Sequence, residues 1–123
     1  MKAAETFPVR RVYDPPGEAD GVRVLVDRLW PRGVSKERAA VDEWLKEVTP
    51  SSGLRTWFHQ HRDQCEEFER RYRAELAGPE QREGIEHLRE LAAAGTVTLV
   101  TAVKDVEHGH LPVLRGALMD RPA

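Results

Sequence analysis

The chain has 123 residues, 40% hydrophobic and 33% charged, the proportions of one folded domain that hides about two-thirds of its unfolded surface. Nineteen Lys and Arg against 21 Asp and Glu leave a net charge of −2, which argues against a strong nucleic-acid binder. No apolar run approaches the roughly 20 residues of a membrane span. Met1 to Pro8 lack the apolar stretch of a signal peptide, and the single Cys65 excludes an internal disulfide or a multi-cysteine metal finger.

The expectation is one cytoplasmic domain over residues 1–123, with an ordered core from about 8 to 119 and loose tails at Met1 to Phe7 and Asp120 to Ala123. Val9 to Tyr13 alternates as a first strand, and Asp14-Pro15-Pro16-Gly17 breaks it. Val22 to Asp27 is β-branched and nearly all apolar, as in a strand covered on both faces. Arg28-Leu29-Trp30-Pro31-Arg32-Gly33 then reads as a loop. Ser35 can cap a helix, and Val41, Trp44, Leu45 and Val48 fit a helical stripe, although Val41 to Leu45 also suits a strand.

A short helix through Leu54, Trp57 and Phe58 follows, capped by Ser51 or Ser52. Asp63 and Glu66 form a D-x-x-E capping pattern that opens a helix with Cys65, Phe68, Tyr72 and Leu76 on its buried face. Gly78 and Pro79 end it. Glu80 to Ala94 is the next helix, with Ile85, Leu88, Leu91 and Ala92 inward, closed by Gly95. Thr96 to Val103 is a third strand, and Lys104 to His110 a loop before a last helix with Pro112 in its first turn. The long helical crossover between the second and third strands favours parallel pairing. The fold class is therefore α/β: one mainly parallel sheet of three to four strands flanked by helices.

In such sheets ligands sit outside the carboxyl ends of the strands. That rule selects Asp27, Arg28, Trp30, Arg32 and Gly33 after the second strand, and Lys104, Asp105, His108 and His110 after the third. If those strands are neighbours, the two loops face each other. Arg28, Arg32 and Lys104 would grip a phosphate or carboxylate, and Asp105 or His108 would serve as acid or base. Fifteen of the 19 cations are arginine, the residue suited to planar, bidentate anion binding. The competing reading is structural: Asp27 with Arg28, and Lys104 with Asp105, as plain ion pairs.

Trp57 and Phe58, beside His59 and Arg55, are placed to line a pocket wall, and Trp30 to stack on a planar ligand; packing is the competing reading for each. The pairs His59-x-His61 and His108-x-His110 lack a third ligand at a diagnostic spacing, so no metal site is assigned. Cys65 reads as a small core residue. Arg70, Arg71 and Arg73 interleave with Glu67, Glu69 and Glu75 as a solvated helix face. No phosphate-loop or nucleophile-elbow pattern is present, and no cofactor is implied.

Val12-Tyr13-Asp14, Val26-Asp27-Arg28-Leu29-Trp30-Pro31-Arg32-Gly33, Trp44-Leu45-Lys46-Glu47, Pro50-Ser51, Leu54-Arg55 and Trp57-Phe58-His59 together resemble the YeaO-like family of small bacterial proteins (domain of unknown function 488). Phe68, Arg71-Tyr72, Leu76, Lys104-Asp105 and Glu107-His108 continue the match, which runs from about Val9 to Leu118. The resemblance implies a fold and a site, but no reaction. Longer relatives carry a C-A-E-K-D…C-H-R type loop after the last strand. Here Thr101 and Gly109 stand at the two cysteine places and Leu111 at the arginine place, so thiol chemistry does not transfer. Thr101 also replaces an aromatic residue associated with the short members, which alters the expected pocket.

The leading expectation is a domain that binds a small anionic ligand in a cleft between the two loops. Arg28 and Arg32 would clamp it with Lys104 assisting, and Asp27, Trp30, Trp57, His59 and His110 would complete the lining. Whether catalysis follows is left open. The alternative is an interaction or regulatory module whose exposed aromatics, Trp30, Trp57 and Phe58, dock a partner protein or a second copy as a homodimer.

Overall fold

The computed structural model describes residues 7–119. Four strands form the sheet: β1 (Val9–Arg11), β2 (Val22–Leu25), β3 (Glu43–Trp44) and β4 (Val97–Thr101). Their order is β1-β4-β2-β3, and each pairing is parallel. Five helices accompany them: α1 (Lys36–Ala39), α2 (Ser52–Gln60), α3 (Cys65–Leu76), α4 (Pro79–Ala94) and α5 (His110–Met119). The fold is thus the α/β domain expected. No helix among the described residues is long and apolar enough to cross a membrane.

Alternation along the central strands builds two cores. Val24, Val26, Val97 and Leu99 pack on one side with Leu54, Phe58, Phe68, Tyr72, Leu88, Leu114 and Leu118 from α2 to α5. Leu25 and Val100 pack on the other with Val12, Val34 and Ala39, beneath Trp30 and Trp44. All five residues of β4 are buried. Gly21 makes the close entry into β2. Its φ is +64°, and a Cβ there would stand 2.2 Å from the Thr96 carbonyl oxygen, so only glycine fits.

The structure corrects several expectations. Val41 to Val48 does not continue as a helix. Ser35 caps α1 by accepting from Arg38 N–H, but Ala40 turns left-handed at φ +52° and ends the helix after four residues. Glu43 and Trp44 then pair with Val24 and Leu25, because the open edge of β2 offers backbone partners. Val48 is reached through a 3₁₀ turn, Lys46–Val48. The Asp63 cap is absent: Gln64 holds the N-cap position of α3 without a side-chain bond. Cys65 is exposed, since the α2–α3 contact begins one turn further in, at the stacked rings of Phe58 and Phe68. Phe7 is no loose tail residue; it is 2% exposed and part of the larger core. The other residues assigned to tails lie outside the described residues. Ser51 caps α2 as expected, accepting from Leu54 N–H at 3.1 Å.

Candidate functional site

β2 and β4 are neighbours, with Leu25 opposite Val100. The loops that leave them therefore meet, and Asp27 ties them. Its Oδ1 accepts from the Thr101 hydroxyl at 2.6 Å and its Oδ2 from Ala102 N–H at 2.7 Å. Its backbone oxygen accepts from the Trp44 indole at 2.7 Å. Trp30 is fixed in turn, its indole donating to Val34 O at 2.6 Å and its ring edge-on to Trp44. Arg28 lies across the loop before α2, donating to Pro50 O at 2.9 Å and Thr49 O at 3.4 Å.

Around this frame lies a cleft of about 710 Å³. Asp27, Arg28, Trp30, Arg32, His59, Asp105 and His110 line it, seven of the ten residues expected there. Leu29, Pro31, Phe58, Phe68 and Val103 supply an apolar surface between the charges. Lys104, His108 and Trp57 do not line the cleft. Lys104 is exposed beyond the rim. His108 is exposed as well, and its Nδ1–H donates to both oxygens of Asp105, at 2.9 and 3.0 Å. That bond lowers the Asp105 pKa below the ordinary carboxylate value. Trp57 faces α3 instead, stacked on His61 and lying under the Arg71 guanidinium at 4.1 Å.

Sequence reasoning missed two arginines of the site. The strand-end rule reaches neither Arg55 nor Arg62, yet both line the cleft. A signal for them existed. Arg55, His59 and Arg62 stand at i, i+4 and i+7, the spacing of one helix face, and they project from α2 and the turn that follows it. Four guanidinium groups thus meet two carboxylates around one cavity. Arg32 and Arg55 are exposed and form no ion pair or side-chain hydrogen bond among the described residues. The aromatic docking loop is not present as expected. Phe58 is 8% exposed, and Trp30 is half-buried with its indole bonded.

His110 closes the floor. Its Nε2–H donates to Val26 O at 2.7 Å and lies 3.6 Å from Asp27 Oδ1. Burial pushes its pKa below the ordinary 6.5. The Val26 bond and Asp27 oppose that shift without reversing it, and Arg55 adds to it.

A parallel α/β domain with an arginine-lined cleft at its strand ends is the class of protein that these features define. The chain belongs to the DUF488 family, in the group described as the inactive DUF488-N3 subclade, which its residues 6–123 match. It is similar to the uncharacterized protein YeaO of Escherichia coli, 47% identical over 105 residues, 85% of this chain and 90% of that one. It is also 41% identical over 113 residues to the uncharacterized proteins Rv3073c of Mycobacterium tuberculosis and Mb3100c of Mycobacterium bovis, with 92% of this chain and 93% of each relative covered. No solved structure matches the chain.

Proposed function

We propose that the domain binds a small organic anion, carrying a phosphate or carboxylate, in the cleft between the β2 loop, the β4 loop and α2. The observation that carries this reading is the convergence of Arg28, Arg32, Arg55 and Arg62 on one cavity. Asp27, one of the two carboxylates of the lining, is committed inward to Thr101 and Ala102. Exposed guanidinium groups with unoccupied donors match carboxylate and phosphate oxygens in pairs. A cleft of about 710 Å³ is the size of a small-molecule site, and the strand ends are where such sheets receive ligands.

The reading is retention without turnover. Thr101, at one of the places where longer relatives carry a cysteine, is buried and donates to Asp27 rather than facing a ligand. The subclade's description as inactive points the same way. Asp105 and His108, the acid and base candidates, act as a rim pair that orients Asp105.

The test is thermal unfolding against inorganic phosphate, phenyl phosphate, citrate and pyrophosphate. A ligand at 100 times its Kd adds about 2.7 kcal/mol, a rise of several degrees for a domain this size. Arg55→Ala is expected to weaken binding about tenfold or more, as loss of a charge-assisted bond does. A flat panel, or a shift untouched by Arg32→Ala with Arg55→Ala, refutes the reading and favours an interaction module.

A further inference from the structure

The cleft is rich in donors, and one acceptor in its floor has an unusual setting. His110 is the first residue of α5, its side chain 11% exposed, and it lines the cleft. Val26 O can only accept, so Nε2 carries the proton in their 2.7 Å bond. A neutral imidazole has one N–H, which leaves Nδ1 as a bare lone pair. Burial and the positive charge of Arg55 favour that neutral form. No group of the fold donates to Nδ1 among the described residues. Tyr72, whose ring meets His110 edge-on, has its hydroxyl proton on Val48 O at 2.5 Å. The Thr101 hydroxyl donates to Asp27. The four arginines are donors by chemistry but none reaches the ring, and both Asp27 oxygens are occupied from inside.

We propose that His110 Nδ1 is the selecting acceptor of this cleft: it favours anions that carry a hydroxyl or amino donor beside the anionic group. This rests on the anion-binding reading above and adds the ligand's second feature. Arginines hold the charged end of such a ligand. An anion that covers Nδ1 without offering a donor takes water from it and returns no partner, which costs affinity.

Matched esters test this: glycerol 3-phosphate against propyl phosphate, and 3-hydroxyphenyl phosphate against phenyl phosphate, titrated into the intact protein by calorimetry. The donor-bearing member of at least one pair is expected to bind about tenfold tighter, the order of one hydrogen bond. His110→Phe removes the acceptor together with the N–H to Val26 O, so the gap within that pair should close. The wild-type ring gives an independent readout if that variant fails to fold: its ¹⁵Nδ1 resonance should move on saturation with the hydroxylated ester and stay put with its partner. Equal affinity within both pairs and an unmoved ¹⁵Nδ1 overturn the role of His110 and leave the anion site standing. Failure of all four esters to bind removes the anion reading, and this proposal with it.

Discussion

Arginine does two different jobs at the two ends of β2. Arg23, on the strand itself, is 4% exposed and fully engaged. Its Nη1 donates to Asp20 at 2.5 Å, its Nε to Ala40 O at 2.8 Å and its Nη2 to Ala39 O at 3.0 Å. It anchors the end of α1 to the sheet. Asp20 also accepts from Gly17 N–H and faces Arg10 at 3.6 Å. Beyond the other end of the strand, Arg32 and Arg55 stand exposed around the cleft with no ion pair among the described residues. The lesson is that composition says little about an arginine's role. What separates the two groups is whether the fold uses up the donors.

The comparison breaks most visibly in stability. Arg23→Met leaves Asp20 buried without its main partner, and loss of one member of a buried pair costs about 3–5 kcal/mol. Arg32→Ala and Arg55→Ala should stay within about 0.5 kcal/mol of the parent. Urea denaturation checks both, and a tolerated Arg23→Met would erase the distinction. Tyr72→Phe comes next. It strips the donor from the buried Val48 carbonyl, an expected loss of about 1–3 kcal/mol in the same titration.

Acid should loosen the two ends in sequence. His110 has a depressed pKa in the fold, so stability from its neutral form is complete above its ordinary 6.5. It declines as pH falls below that value toward the lowered one. The groups around the ring are Asp27, Arg55 and Tyr72. Asp20 follows at lower pH. Burial alone would raise its pKa, but the Gly17 N–H bond, the Arg23 bond and the charges of Arg10 and Arg23 outweigh it and hold it below 3.8. Its stabilisation is present above that value and is lost as pH drops through the folded pKa. Denaturation midpoints from pH 8 to 3 should show both steps, and His110→Gln should remove the first alone. The smallest effect is at Cys65. Cys65→Ser should change stability by no more than about 0.5 kcal/mol, while the native thiol reacts readily with a disulfide reagent. A protected thiol would restore the buried assignment.

Much of the sheet was legible because its strands are short β-branched runs bounded by Gly and Pro. Val22 to Asp27 and Thr96 to Val103 were each drawn a residue or more too long, because apolar character outlasts ladder pairing. Val41 to Leu45 stayed open between helix and strand because its spacing suits both, and the strand is borne out by the left-handed turn at Ala40 and the free edge of β2, the second of which is not local. The lining of the candidate cleft was partly legible. Strand-end logic found Asp27, Arg28, Arg32 and His110. It missed Arg62, because that rule looks only at loops after strands and not at the helix face opposite. Lys104 and His108 were overrated for the converse reason: being in the right loop does not turn a side chain inward.

The strand order carries a consequence for the making of the molecule. β4 lies between β1 and β2, yet it is the last strand to leave the ribosome. Until Val97 to Thr101 emerge, β1 and β2 have no common neighbour, and four of the five helices are already synthesised with no finished floor to pack on. Closure of the sheet therefore waits on contacts between distant parts of the chain, a slow class of folding event. During that interval the nascent chain exposes unpaired strand edges, the state in which such polypeptides associate wrongly.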